Sequence, residues 1–378
     1  MASPYHLLNT SWTSHRLSPL HHENSHESLL NNPAALETYA ARLRDHLTNS
    51  LADAQGWRAA EDDPATGPSA IGALQSCTWE PISTLSFLSP QRVDEEGPQD
   101  QDHELAGLLI TLSYETITYR AALLAAPGAH PQSEKKVRKG GRSTRSRTSS
   151  SSSTYLPLLL TRLPKSLRES FIAFLSSNFD TYVSALRISS AGLCDVLESY
   201  VASLTSSSTA GAGVGAAGSD ASVEDIIREM HLTLSFAPPI APYLKALNVN
   251  VPRETFLSFL RTSFSTTGSG SGETGRGSSV LSGLSAYLQQ HLAIGLGLPL
   301  PGGESGGDSS LVGGYVRLTR IACAGFVVTG EGRLKVVAKT DEGGGDEKNR
   351  GALRGGEALM RAVLERAGTG VEKEKEQD

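Results

Sequence analysis

The sequence GLLITLSYETITYRAALLA, residues 107–125, is the stretch that decides the fold class of this 378-residue chain. β-Branched and aromatic residues are frequent in it, and both kinds favour strands. The segment Ser113-Tyr114-Glu115 interrupts the pattern near its middle. We therefore predict two antiparallel strands joined by a short turn.

Strand signals return in the second half of the chain. Leu232, Leu234 and Phe236 alternate with polar residues, as expected of a strand with one buried face. The pattern repeats at residues 247–251. Near the C-terminus, YVRLTRIACAGFVV (315–328) and RLKVV (333–337) predict the last strands.

Helix signals lie between these strands. Asn32 is a suitable N-cap, and Pro33 suits the first helical position. Leu36, Leu43 and Leu47 then fall on one stripe of the predicted helix. Similar stripes predict helices around residues 167–175, 193–204, 256–264 and 281–292. Strand pairs punctuated by helices predict an α+β fold with a largely antiparallel sheet and packed helices.

Composition separates the predicted folded parts from long insertions. Stretches rich in Gly, Ser, Pro and charge cannot bury enough apolar surface to offset the entropy of ordering. We predict an N-terminal α+β part at 1–125, a disordered basic, Ser-rich insertion at 126–153 and a C-terminal α+β part at 154–339. The C-terminal part contains low-complexity loops at 205–221, 265–279 and 299–314, and a charged, mostly disordered tail follows at 340–378.

Charge and cysteine content indicate the compartment. The net charge of −6 creates no global field for nucleic acid or an anionic membrane. The three cysteines, Cys77, Cys194 and Cys323, are far apart, which fits a reducing compartment better than a disulfide framework. No apolar run approaches the roughly 20 residues that span a bilayer. We therefore expect a protein of the cytosol or nucleus with no membrane partner.

Motifs for chemistry are weak. The segment Gly213–Gly218 matches a dinucleotide-binding pattern, and Gly303–Gly307 matches a nucleophile elbow, but neither has the strand and helix that such a site needs. His21, His22 and His26 lack a second cluster that would complete a metal site. We therefore predict that the chain is not an enzyme and binds no cofactor, metal or small-molecule substrate.

One basic run is the clearest polar feature. It is a candidate nuclear localisation signal or nucleic-acid contact, and its cations are Lys135, Lys136, Arg138, Lys139, Arg142, Arg145 and Arg147. A solvated charge run without specific function is the alternative interpretation. A stand-alone nucleic-acid-binding module that uses this run is the second functional hypothesis.

Five segments resemble the fungal members of the CENP-L family, which are inner-kinetochore subunits of the constitutive centromere-associated network. They are NTSWTSHRLSPL (9–20), GALQSCTW (72–79), STYLPLLLTRLPKSLRESFIAFLSSNFDTYVSALRI (153–188), REMHLTLSFAPPIAPYLKALNVNVPR (228–253) and VRLTRIACAGFVVTGEGRLKVV (316–337). The resemblance implies a non-enzymatic kinetochore scaffold in the nucleus, at the centromere. It also implies pairing with a CENP-N-like subunit, other inner-kinetochore partners and a link to the centromeric nucleosome or its DNA.

The partner surface is predicted from the position of the last strands. They come late in the chain, so one of them is expected at a sheet edge, where unpaired backbone groups can accept a partner strand. The candidate partner-binding residues are Val316, Leu318, Ile321, Phe326, Val328, Leu334 and Val336. Alternatively, Arg317, Arg320, Arg333 and Lys335 blunt this edge by their charge.

Overall fold

The computed structural model describes residues 2–22, 29–30, 32–55, 72–82, 85, 87, 106–125, 153–206, 229–236, 243–265, 280–292, 316–338 and 347–374. The predicted insertions at 126–153, 205–221, 265–279 and 299–314 lie almost entirely outside these residues. The basic run at 135–147 also lies outside them.

Thirteen strands and six α-helices occur in the described part of the chain. The strands are β1 (Trp12–Leu17), β2 (Leu20–His21), β3 (Leu74–Ile82), β4 (Gly107–Tyr114), β5 (Thr118–Leu124), β6 (Ser153–Thr154), β7 (Leu158–Arg162), β8 (Val183–Ala185), β9 (Met230–Phe236), β10 (Ala246–Val251), β11 (Val316–Ala322), β12 (Phe326–Thr329) and β13 (Arg333–Val336). The helices are α1 (Pro33–Gln55), α2 (Lys165–Phe179), α3 (Ser190–Ser206), α4 (Arg253–Ser265), α5 (Val280–Leu292) and α6 (Glu347–Glu374).

Eleven strands form one antiparallel sheet in the order β10-β9-β11-β12-β13-β1-β7-β5-β4-β3, with β8 also paired to β1. The predicted α+β class and largely antiparallel sheet are therefore confirmed. The hairpin predicted from residues 107–125 is β4 and β5, which pair from Gly107 with Leu124 to Ser113 with Thr118. Among the described helices, none combines the length and apolar composition needed to cross a membrane.

The helices bury the two faces of the sheet in two clusters. Because side chains alternate along a strand, Ala121 and Leu123 of β5 face one way, and Ala122 and Leu124 face the other. The first pair packs with α1 and α2, and the second belongs to the cluster that contains α3 and α6. Asn32 caps α1 as predicted, accepting a hydrogen bond from the Ala35 N–H at 3.1 Å.

The prediction of a mostly disordered tail at 340–378 is wrong for the part that forms α6. This helix is 28 residues long, and it packs along α3. Leu359, Val363 and Leu364 are fully buried. Charged residues and glycines make this apolar stripe difficult to recognise in the sequence. Gly355 lies against the Tyr200 ring, and a Cβ atom at this position would come within 2.6 Å of the ring. Small residues therefore allow α6 and α3 to approach closely.

The expected edge position of the C-terminal strands is also wrong. β11 lies between β9 and β12, and β13 lies between β12 and the N-terminal strand β1. Trp12 and Thr13 of β1 pair with Leu334 and Arg333. Late position in the sequence did not produce an edge, because a strand from the start of the chain covers β13. The edges of the described sheet are β10 and β3.

Candidate partner-binding surfaces

Within the described residues, no strand pairs with the outer side of β10, which is the last strand of the sheet. The Phe236 N–H donates to the Lys245 carbonyl at 3.3 Å, which fixes the phase of the ladder between β9 and β10. Hydrogen-bonded and non-bonded pairs alternate in an antiparallel ladder. The backbone N–H and C=O groups of Ala246, Asn248 and Asn250 therefore point away from β9. We call this row of groups the β10 edge.

The side chains around the β10 edge suit a partner that adds a strand. Asn248 and Asn250 are exposed, whereas Leu247 and Val249 are half-buried on the core side. Tyr243 and Leu244, just before β10, are 98% and 43% exposed. Exposure of these two apolar side chains to water is unfavourable. A partner strand that paired with the neighbouring backbone groups would also cover them.

A row of cations lies on the open face of the C-terminal half of the sheet. Leu318, Ile321 and Leu334 face the buried cluster, so their neighbours face the other way. We call this second surface the basic face; its cations are Arg317, Arg320, Arg333 and Lys335. The three arginines are exposed, and none of the four side chains forms an ion pair with another described residue.

A β-bulge places Arg317 and Arg320 on the same face although they are three residues apart. The register shifts between Leu318 and Arg320, which pair with Leu234 and Thr233 of β9. The extra residue in β11 reverses the alternation at this point. Simple alternation would have placed Arg320 in the core. The sequence therefore grouped these four cations as charges of a strand edge, but it did not show that they share one face of the sheet.

The predicted partner-binding residues are brought together, but inside the protein. Val316, Leu318, Ile321, Phe326, Val328, Leu334 and Val336 are each at most 4% exposed and share one core cluster. Their side chains pack beneath helices such as α3 and α6 and are not available to a partner in this fold. They support the sheet whose opposite face carries the cations.

The titratable groups of the described residues do not form a reactive centre. Burial raises the pKa of Cys77 and of Cys194 to about 12, and that of Cys323 to about 11, so these thiols stay protonated near neutral pH. Burial also lowers the pKa of His15 to about 4, and this ring contacts the Thr161 hydroxyl between two strands of the sheet.

Metal-binding clusters are likewise absent from the described ranges. Of the histidines considered from the sequence, His22 contacts the Thr154 hydroxyl at 3.2 Å, and His26 lies outside those ranges. The segments Gly213–Gly218 and Gly303–Gly307 also fall outside them. The surfaces that stand out in this part of the chain are the β10 edge and the basic face.

A sheet edge can bind a partner by accepting an added strand, and exposed cations can contact phosphates, so both surfaces suit a protein that binds other macromolecules. The family model described as centromere protein L matches residues 6–368. The chain therefore belongs to the CENP-L family, and it is a centromere and kinetochore protein of chromosome segregation. A search of curated proteins returned no match.

Proposed function

We propose that this chain is a non-enzymatic kinetochore scaffold that pairs with a CENP-N-like subunit through the β10 edge. The observation that carries the proposal is the outward backbone of Ala246, Asn248 and Asn250 at the end of the sheet. A partner strand would satisfy these groups and continue the sheet into the partner. Backbone hydrogen bonds supply affinity in this mode, and alternate side chains set the register.

Replacing Asn248 by proline tests the pairing. The Asn248 N–H points away from β9, so proline removes a donor to which no described residue bonds and which a partner strand can use. We expect Asn248→Pro to weaken binding of the CENP-N-like subunit about tenfold, because a lost hydrogen bond is worth about 1 kcal/mol and its orphaned acceptor costs more. Calorimetric titration of the purified partner measures the change.

The matched control is Asn248→Ala, which changes the side chain but keeps the backbone N–H. It should bind the partner nearly as well as the wild type, and both variants should melt close to the wild-type temperature. Full binding by folded Asn248→Pro would place the interface elsewhere on the molecule.

The basic face supports a second proposed activity, contact with centromeric DNA. Four cations on β11 and β13, the strands on either side of β12, can contact a phosphate backbone, and phosphate contacts dominate the affinity of most DNA-binding proteins. This contact would provide the link from the scaffold to chromatin. The basic run at 135–147 keeps its proposed role as a nuclear localisation signal or an additional nucleic-acid contact.

Salt dependence tests the contact with DNA. Each phosphate contact contributes about 0.9 to the slope of log affinity against log salt, so replacing all four cations by glutamine should make the slope shallower by up to about 3.6. The slope is measured by fluorescence anisotropy of a labelled duplex at increasing salt. A variant with Lys165→Gln and Arg361→Gln, two exposed cations outside the basic face, is the control and should change it little.

Deletion of residues 134–148 separates the two candidate contacts. If the deletion abolishes DNA binding while the four-site variant retains it, the run at 135–147 is the nucleic-acid module and the basic face is not. If the four-site variant loses binding and the deletion does not, the sheet itself makes the contact.

A further inference from the structure

Strand β3 forms a second open edge, at the opposite end of the sheet from β10. Pro81 has no N–H group, and its carbonyl accepts a hydrogen bond from the Ala2 N–H at 2.9 Å. Ala2 lies on the side of β3 opposite β4, so the backbone of Pro81 points outward. Backbone groups alternate between the two sides of a strand, so those of Trp79 and Cys77 also point outward. Within the described residues, no group bonds to the outward backbone of these two residues.

Helix α1 runs antiparallel to β3 and forms a cleft beside this edge. The Tyr39 ring lies 6.2 Å from the Trp79 ring, and further along the helix Thr48 and Asn49 line the cleft with Gln75. The cleft has a volume of about 720 Å³. This volume is within the range of small-ligand sites. An added strand would therefore place alternate side chains against α1.

The exposed charges of the cleft are unequal. Glu37 and Asp45 contribute two carboxylates, and Arg44 contributes one guanidinium. Excess negative charge repels nucleic acid and favours a positively charged ligand. The edge also has a fixed end, because Ala2 already occupies the outward carbonyl of Pro81. The strand of a ligand that pairs with Cys77 and Trp79 must end there, so the paired segment is short.

We propose that the cleft between α1 and β3 binds a short, net basic, extended peptide of a partner protein, which adds to β3 as an edge strand. The bound peptide would donate to and accept from the backbone of Cys77 and Trp79. Its basic side chains would lie near Glu37 and Asp45. This site is independent of the β10 edge, so the subunit would contact different partners at opposite ends of one sheet.

Sequence charge argues against the neighbouring segment of the same chain as the occupant. Residues 56–71 join α1 to β3, and they carry Glu61, Asp62 and Asp63 against a single Arg58. Their net charge has the same sign as that of the cleft. The chain's own basic run at 135–147 is opposite in charge to the cleft, so it could bind there in place of a partner. Hydrogen exchange in the free chain shows whether the edge is already covered.

Hydrogen exchange in the free full-length chain tests whether the edge is open. The amides of Thr78 and Glu80 point toward β4, whereas those of Cys77 and Trp79 point outward. We expect the outward amides to exchange at least about ten times faster than the inward ones, because no local opening is needed. Equal protection of all four amides would mean that the chain covers its own edge, and the proposal would be wrong.

Peptide binding tests the ligand class. A phage-displayed library of random peptides is selected on the full chain, and we expect the selected peptides to be rich in Lys and Arg. Their affinity, measured by fluorescence anisotropy, should fall about tenfold with Cys77→Pro, which removes an outward donor. The strand already holds Pro81 in the same orientation, so this variant is expected to fold.

A charge variant gives a second test that does not alter the backbone. Glu37→Lys combined with Asp45→Lys should also weaken the selected peptides about tenfold. Glu169→Lys, an exposed carboxylate on α2, is the control and should bind unchanged. Peptides without a basic excess, or peptides that neither variant weakens, would overturn the proposal. Retained peptide binding by Asn248→Pro would show that the two edges act separately.

Discussion

Gly332→Val is expected to remove most of the stability of the folded protein. Gly332 has a φ of +80°, a conformation that β-branched residues adopt only at high cost. A Cβ atom would lie 2.4 Å from the Leu186 carbonyl oxygen, which belongs to the backbone and cannot rotate away. Backbone strain and this contact together should cost about 4 kcal/mol or more, because the strain alone is worth about 1 to 3.

The position of Gly332 explains why the damage would spread. Its carbonyl accepts hydrogen bonds from the Ser14 N–H at 2.8 Å and from the Ser14 hydroxyl at 2.6 Å. Its own N–H donates to the Thr329 carbonyl at 3.0 Å. The residue therefore joins β13 to β1, the two strands at which the N-terminal and C-terminal parts of the described sheet meet. Loss of this geometry would disturb the pairing of β13 with β1 at the centre of the sheet.

Chemical denaturation of Gly332→Val measures the loss, and Gly368→Ala is the control. Gly368 lies in α6, where the nearest described atom to an added Cβ would be the Tyr155 hydroxyl oxygen at 3.8 Å. Alanine should therefore stabilise the helix, by up to about 1 kcal/mol. Wild-type stability of Gly332→Val would show that β13 and β1 do not meet as the structure has them.

Local sequence signals predicted the elements whose determinants lie within a few residues. The β4–β5 hairpin follows from strand-forming residues on both sides of one turn, and its two strands are confirmed. Helix α1 follows from its cap and its leucine stripe, and both are confirmed. In each case the residues that specify the element are also the ones that form its contacts.

Contacts between distant parts of the chain could not be predicted in this way. Strand β1 is inserted between β13 and β7, so residues near the N-terminus determine which later strands are central. Helix α6 depends on Tyr200 and Val336 for its packing, and its own composition resembles a solvated tail. The basic face required the bulge in β11, which alternation alone does not reveal.

Ile321→Pro is expected to unfold the protein, in contrast to proline at the β10 edge. The Gly330 N–H donates to the Thr319 carbonyl at 2.7 Å, and the Cys323 N–H donates to the Phe326 carbonyl at 2.8 Å. Thr319 and Cys323 each lie two residues from Ile321, so Ile321 also pairs with Val328 through backbone hydrogen bonds. Proline would remove that donor from the centre of the sheet and leave a buried carbonyl without a partner.

The expected loss of unfolding free energy in Ile321→Pro is comparable with the whole stability of a typical domain. Truncating a fully buried isoleucine costs about 2 to 5 kcal/mol, and an unsatisfied buried carbonyl costs about 1 to 3 more. Because domains are stable by only about 5 to 15 kcal/mol, Ile321→Pro should lose cooperative unfolding in circular dichroism melts. Ile321→Val keeps the donor and should cost about 1 kcal/mol, whereas Asn248→Pro should still melt cooperatively. A cooperative melt of Ile321→Pro at the wild-type temperature would instead place β11 at an edge of the sheet, as its late position in the sequence suggested. The sheet order would then be wrong, and with it the edge position of β10.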